Sequence, residues 1–371
     1  MLVRPKNGKS GRERVAQIFN WFGPAIPESN RFTVIESNIE APRLGLSDAQ
    51  YQLLCTTVDE VVHCAANTLF AERKRTEVET CNVETMKNLF AFLADARAYF
   101  LHHVSTAYVA GKTAGLCHEE IGQPAEFNNV YEETKHMSEV LARAFCAENR
   151  IRLSIYRPTI VYGNSETGRS IRFNALYFPV KTAVFLRDLF ARDISEGNSK
   201  KAAPLGISLT TGGRIHLPIR LPKISNGGMN LIPINYFEEA FLALFEEVLS
   251  GGIFSLASDE PATLDMLIRF VSEKFGMEGI VTADENESAQ DRNSLETMFS
   301  SYMETYRPYM LDRRLFSDKN TRSILRAKNV VCPPFTYEVF SRCMDFAVSV
   351  DWGKTLFSGP ADKNPDEGGT K

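Results

Sequence analysis

Residues 100–111 read F-L-H-H-V-S-T-A-Y-V-A-G, and residues 128–135 read N-N-V-Y-E-E-T-K. The first stretch is an apolar run that ends in two hydroxyl residues, Ser105 and Thr106. The second carries Tyr131 with Lys135 four positions on. A strand ending in a hydroxyl, followed by a helix with Tyr and Lys at i and i+4, puts both helical side chains on one face. A hydroxyl at the carboxyl end of a strand lies where open α/β sheets take their ligands. The Lys135 ammonium favours the tyrosinate, so it is expected to lower the Tyr131 phenol from about 10. That would make Tyr131 a proton donor or acceptor near neutral pH. Y-x-x-x-K alone is a common pattern. The preceding strand, the hydroxyl and the R-P-T at 157–159 give it weight.

Working outward, the chain alternates strands and helices. Arg12–Phe22 has Val15, Ile18, Phe19 and Phe22 at helical spacing, and Arg31–Glu36 is strand-like. Ser47 suits the N-cap of a helix running to Thr57. Val58–His63 reads as a strand, Thr76–Ala94 as a helix, Tyr99–Val104 as a buried strand, Val130–Asn149 as a helix and Arg152–Tyr156 as a strand. This rhythm predicts an α/β fold with a doubly wound, Rossmann-like parallel sheet over residues 1–163.

After Gly163 the rhythm breaks. Residues 164–357 are expected to form a smaller mixed α/β substrate-binding region, with some strands and helices returning to the main domain. Within it, 175–193 reads as an amphipathic helix. The rest of 164–230, rich in Gly, Lys and Pro, reads as a lid or substrate wall too irregular for a sheet. Helices are expected over Phe237–Leu249 and after Pro261, the latter ended by Gly276, with a strand at Ile253–Ala257. Residues 283–298 read as an exposed polar loop. Leu295–Val350 reads as mainly helical, broken at Pro308 and Pro333-Pro334. The tail, 358–371, has a disordered composition.

Bulk properties exclude several classes. At 371 residues, with 44% hydrophobic and 24% charged residues, the chain suits a globular protein with a proper core. A net charge of −4 gives no nucleic-acid footprint. Seven scattered Cys, without C-x-x-C, read as reduced thiols and a cytoplasmic setting. His102 and His103 are adjacent, so they point to opposite faces of a strand and suit no metal. No apolar run is long enough for a transmembrane helix.

Several motifs together resemble one family. They are L-V-R-P before an E-R helix, I-E-A-P-R-L-G-L-S, V-D-E-V-V-H-C-A-A-N-T, N-V-E-T-M-K-N-L, H-H-V-S-T-A-Y-V, Y-E-E-T-K, Y-R-P-T-I-V-Y-G and N-L-I-P-I-N-Y. Over most of residues 1–260 the chain resembles an extended short-chain dehydrogenase/reductase. More narrowly, it is similar to the thioester reductase and fatty acyl-CoA reductase branch, the male-sterility type of NAD-binding domain. The resemblance implies a reductase of acyl thioesters, bound to CoA or to an acyl or peptidyl carrier protein, giving an aldehyde or alcohol. It implies Tyr131 as general acid, Lys135 as ligand of the nicotinamide ribose and tuner of Tyr131, and Thr106 as the active-site hydroxyl, with Ser105 ranked second. It implies that His63, Ala65 and Ala66 line the cofactor and that Pro158 and Thr159 lie beside the nicotinamide. Asn38 stands where the family has an Asp near the adenine. Arg4 matches the arginine suited to a 2′-phosphate, which favours NADP(H) over NAD(H).

The family opens with a strand and a G-x-x-G-x-x-G turn that holds the pyrophosphate. Gly8 and Gly11 follow the second-strand stub and do not match that turn. The sheet is therefore expected to be N-terminally incomplete, with the missing front encoded upstream of Met1. An NAD-dependent epimerase/dehydratase, a hydroxysteroid-type dehydrogenase and a truncated, catalytically impaired dinucleotide-fold protein stay open as alternatives.

Overall fold

The computed structural model describes residues 1–22, 32–196, 199–224, 227–284 and 292–357. In chain order the elements begin with β1 (Leu2–Val3), α1 (Gly11–Phe22), β2 (Ile35–Glu36), α2 (Asp48–Thr57), β3 (Glu60–His63), α3 (Arg75–Glu79), α4 (Thr85–Ala96) and β4 (Phe100–Val104). They continue with β5 (Gly115–Cys117), α5 (Val130–Asn149), β6 (Arg152–Pro158), β7 (Ile160–Tyr162), α6 (Tyr177–Ser195), β8 (Ser208–Leu209), β9 (Ile215–Pro222), β10 (Leu231–Pro233) and α7 (Ile234–Glu247). The last are β11 (Gly252–Leu256), α8 (Leu264–Phe275), β12 (Met277–Ala283), α9 (Ser294–Met303), α10 (Arg307–Met310), β13 (Arg314–Phe316), α11 (Lys319–Ala327) and α12 (Tyr337–Ser349). Among the described residues no helix is long and apolar enough to cross a membrane.

The chain divides into two compact units. The first comprises Met1–Lys112, Glu119–Arg157 and Val248–Phe254, and the second Thr113–His118, Pro158–Glu247 and Ser255–Lys371. In the first unit a sheet of order β11-β6-β4-β3 is parallel where its ladders are resolved. His63 pairs with His103 and Val104 with Tyr156, so the carboxyl ends of β3, β4 and β6 are level. β1 and β2 form a separate parallel pair, and among the described strands β3 pairs with β4 alone. The expected strand at 31–36 shrinks to Ile35–Glu36, and part of it, with residues 23–30, lies outside the described residues. Leu89, Phe92 and Leu93 of α4 pack with Tyr51 of α2, Ala142 and Cys146 of α5, and Leu101 of β4. Ser47 caps α2 with a reciprocal Gln50 capping box, as its position predicts.

Helix α5 is anchored by charge as well as by apolar contact. Arg157, at the end of β6, donates from Nε and Nη2 to the two carboxylate oxygens of Glu139, at 3.0 and 2.5 Å. Its Nη1 donates to the Glu120 carbonyl at 2.9 Å. Side-chain exposure is 5% for Arg157 and 0% for Glu139. A bidentate geometry with a third acceptor offsets the desolvation of the two ions.

In the second unit the structure corrects the expectation for residues 164–230. The helix there is α6, but Ile215–Pro222 is a full strand, central in a sheet of order β12-β9-β8. Its apolar residues Ile215, Leu217 and Ile219 are buried in strict alternation with His216, Pro218 and Arg220. The prolines hide this pattern, because Pro cannot donate to a ladder. The ladder is interrupted by a bulge in β9, where Leu217 and Pro218 stand opposite Gly279 alone, between the pairs His216–Glu278 and Ile219–Ile280. Gly279 has φ +85°, and a Cβ there would meet the His216 ring at 2.6 Å. The mainly helical segment after 295 also contains a strand, β13, paired in parallel with β5. In the stretch expected to be an exposed loop, residues 285–291 lie outside the described residues. Asn293 caps α9, whose Glu296 is buried against Arg220 at 2.7 Å. The tail, 358–371, also lies outside the described residues.

Breaking the buried pair on α5 tests its role. Glu139→Gln leaves a buried guanidinium without its carboxylate and should cost on the order of 3 kcal/mol, read as a lower urea midpoint. Replacing both Glu139 and Arg157 with Met should recover most of that loss. A Glu139→Gln chain with the parent midpoint would show that the pair does not hold the helix.

Candidate functional site

The level carboxyl ends of β3, β4 and β6 set the floor of the candidate site. Thr106 follows β4 and caps a short turn over Ala107–Ala110, where its Oγ1 accepts from the Tyr108 N–H at 3.3 Å. Its hydroxyl is also hydrogen-bonded with the Tyr131 phenol. Ser105 is buried in the same strand end, its N–H given to the Tyr156 carbonyl at 2.7 Å. Its hydroxyl meets no partner among the described residues. Of the two hydroxyls, the structure brings Thr106 to Tyr131.

Tyr131 sits in the first turn of α5. Asn129 caps that turn, its side chain accepting from the Glu132 N–H at 3.1 Å, while the Glu132 carboxylate accepts from the Asn128 N–H at 2.9 Å. The Tyr131 ring lies 5.7 Å from that of Phe70. One turn on, Lys135 is 2% exposed, and its Nζ donates to the Val104 carbonyl at 2.8 Å. The geometry thus gathers Thr106, Tyr131 and Lys135 at the end of β4.

The electrostatics differ from the expectation that Lys135 lowers the phenol. Burial pushes Tyr131 up to about 12; the Thr106 hydrogen bond works in the opposite direction, and Glu132 adds to the rise. Burial also lowers Lys135 to about 8, against upward pulls from Glu139, Cys64 and Cys81. The reason is dielectric. Removing water penalises whichever form is charged, tyrosinate or ammonium, and it is the largest influence on each of these two groups. His63 falls to about 3 by burial and then by the Lys135 charge.

The other sequence-predicted residues are distributed as follows. His63 ends β3, 8% exposed, its ring stacked on His103 at 5.4 Å. Ala65 is exposed and Ala66 partly so, on the loop that leaves β3. Asn38 is exposed and engaged locally: its N–H donates to the Leu44 carbonyl at 3.0 Å, and its Oδ1 accepts from the Glu40 N–H at 3.2 Å. Arg4 is exposed and paired with Glu40 at 3.0 Å. Pro158 and Thr159 fall in the second unit, where the Thr159 hydroxyl donates to Asn230 at 2.8 Å.

Sequence reasoning missed Asn82. It is 3% exposed, in a π-helical turn over Thr80–Glu84 between α3 and α4. Its Oδ1 accepts from the Asn67 N–H at 2.7 Å, and its Nδ2 donates to the Asn67 carbonyl and to Thr134 Oγ1, both at 3.0 Å. It ties the loop after β3 to α5, beside Lys135. The available signal was a polar amide on the otherwise apolar face of the helix.

The lowered Lys135 carries a sign that can be measured. The folded chain binds this proton less tightly than the unfolded one, so between about pH 8 and pH 10.5 the unfolded state holds the extra proton. Stability therefore rises with pH across that window. Lys135→Met removes the cost of the buried ammonium and should stabilise the chain at pH 7 by on the order of 3 kcal/mol. The gain should shrink as pH approaches 10. Thermal unfolding of both proteins across this range checks it, and a pH-independent difference would contradict the assignment.

Comparisons with known proteins agree with this architecture. Residues 1–201 match the male sterility protein family of NAD-binding domains. A hybrid PKS-NRPS synthetase of Talaromyces variabilis is 29% identical over 141 residues, covering 38% of this chain and 3% of the synthetase. The chain thus spans only a small fraction of that relative's length. The terminal R domain from the myxalamid PKS-NRPS biosynthetic pathway superposes with a TM-score of 0.69 at 18% identity, over 95% of this chain and 84% of that one. A thiolation-reductase di-domain from an archaeal non-ribosomal peptide synthetase gives 0.68 at 14% identity, over 95% and 70%. The last two likenesses show that this chain shares their fold. With the family model matching more than half of its length, the chain belongs to the male sterility protein family.

Proposed function

We propose that this chain is a nicotinamide-dependent reductase of acyl thioesters, taking an acyl group from CoA or from a carrier protein to the aldehyde or alcohol. The observation that carries this reading is the Thr106–Tyr131 hydrogen bond with buried Lys135 one turn further on. The synthetase relative and the reductase-domain neighbours support the choice of a carrier-bound thioester.

The residues present fit one end of a dinucleotide better than the other. Lys135 has ammonium protons beyond the one given to Val104, and the loop at Ala65 and Ala66 offers backbone with little side chain in the way. These residues, with His63, would hold the nicotinamide riboside. In the turn before α1, the Gly11 N–H is taken by Glu36 at 2.9 Å and the Ser10 N–H by Glu13 at 2.7 Å. Those carboxylates answer the helix N-terminus and repel a pyrophosphate. Asn38 would face the adenine. Arg4 supports NADP(H) over NAD(H) once released from Glu40, because a guanidinium can grip a 2′-phosphate with two hydrogen bonds. Glu40 left in place is the kind of acceptor that a free 2′-hydroxyl uses.

A bound reduced nicotinamide supplies hydride. Tyr131, kept protonated by burial, donates its proton to the carbonyl oxygen as negative charge develops there. Thr106 orients the phenol through their hydrogen bond. Lys135 holds the cofactor ribose and keeps positive charge below the phenol.

Two measurements test this. Incubation with NADPH and a series of acyl-CoA and acyl-carrier thioesters should oxidise the cofactor, and Tyr131→Phe should cut the rate by about a hundredfold or more. Full activity in Tyr131→Phe, or no oxidation with any thioester, would remove the proposal. For the cofactor choice, Arg4→Gln should weaken NADPH binding about tenfold and leave NADH unchanged. Equal loss for both would overturn the role of Arg4.

A further inference from the structure

We propose that one buried water molecule joins the Lys135 ammonium to His103 Nδ1 and Ser105 Oγ, making His103 a positioning residue for Lys135. The inference rests on the reading of Lys135 as the lysine of the reductase site.

It starts from proton bookkeeping on Ser138. The Ser138 hydroxyl donates to the Lys135 carbonyl at 2.8 Å, which uses its one hydrogen. Its 3.1 Å link to His103 Nε2 must therefore run the other way, with Nε2–H donating to the serine oxygen. His103 is fully buried, and burial lowers its pKa well below the ordinary imidazole value, so it is neutral. A neutral imidazole with its proton on Nε2 has a bare lone pair on Nδ1. That atom is buried and has no donor among the described residues.

The atoms around it are complementary. Lys135 and Ser138 are at i and i+3 on α5, so both face β4, and the Lys135 charge acts on the His103 ring. Lys135 gives one hydrogen to Val104 among the described residues and has two more. Ser105 lies two residues beyond His103 along an extended backbone, hence on the same side, and its buried hydroxyl is also unpartnered. A donor-rich ammonium, a bare imidazole nitrogen and a free hydroxyl are the three partners that a buried water usually takes. The water accepts from Lys135, donates to His103 Nδ1 and shares its remaining contact with Ser105.

The consequence is control of charge. A water that accepts from the ammonium and is held by His103 favours the protonated lysine. The other titratable groups acting on Lys135 are Glu139 on its own helix, Cys64 after β3 and Cys81 in the π-turn, with His63 stacked behind His103.

The test needs no cofactor. The Lys135 side chain is titrated by NMR in the protein with labelled lysine, alongside His103→Leu and His103→Asn. Leu removes the acceptor, and the Lys135 midpoint should fall by about one unit, a tenfold change in its protonation ratio. Asn keeps an oxygen near the Nδ1 position, and its midpoint should stay within about a third of a unit of the parent. Nitrogen shifts of the unsubstituted protein should show His103 protonated on Nε2, and Ser138→Ala should abolish that preference. This measurement still decides if the Leu variant does not fold. A high-resolution crystal structure should show the water within reach of all three atoms. A Leu variant with the parent midpoint, or a His103 protonated on Nδ1, would overturn the proposal. Should Tyr131→Phe prove fully active while Lys135 still follows His103, the reductase reading fails and the water site stands.

Discussion

Helix α5 is packed inside out, and the rest of the first unit depends on how that is compensated. It buries Glu132, Thr134, Lys135, Ser138 and Glu139, all at 2% exposure or less, and leaves Met137, Val140 and Leu141 about 40% exposed. A polar helix face turned into a protein is costly unless each group meets a partner. Here each does: Asn128 answers Glu132, Asn82 answers Thr134, Val104 answers Lys135, His103 answers Ser138 and Arg157 answers Glu139. These partners come from β4, β6, the π-turn and the segment before the helix. The helix can therefore dock in one register, and that register places Tyr131 beside Thr106.

The same compensation explains why the Lys135 end of the site is closed to bulk solvent. Groups that serve proton transfer at the end of a sheet could be solvated like other loop-end polar groups. Here the Lys135 end of the pair is sealed by stacked histidines and the helix, and the phenol is held against Phe70. Preorganised dipoles in a water-poor setting act more strongly on developing charge than the same groups in water. The price is carried by the buried pair of Arg157 and Glu139, which keeps a full carboxylate one turn from Lys135.

Much of the first unit was legible in the sequence because its signals are local. The bounds of α5, the Ser47 cap and the strand at 100–104 follow from apolar spacing and capping residues. The hydroxyl–Tyr–Lys set follows from spacing on a helix after a strand. What was hidden depends on distant partners. Ile215–Pro222 alternates correctly but carries two prolines, and only its own bulge at Leu217–Pro218, facing Gly279 of its neighbour, shows how the ladder tolerates one of them. The three-residue strands β5 and β13 have no periodicity to read, and each exists through pairing across about two hundred residues. The roles of Asn82, His103 and Ser138 are tertiary hydrogen bonds that no spacing rule encodes. The lowering expected for Tyr131 was inferred from charge alone, whereas burial raises it.

Desolvation also reorders the two protonations. In water a tyrosine and a lysine lose their protons at nearly the same pH, about 10 and about 10.4, the phenol slightly first. In this fold Lys135 titrates near 8 and Tyr131 near 12, so the amine gives up its proton first by about four units. Titrated upward, the pair thus passes through a neutral amine beside a neutral phenol and not through a zwitterion. Wetting would close that gap and admit the zwitterion. Access of solvent to the end of β4 is then itself a control on which of the two groups carries charge, independent of any residue change.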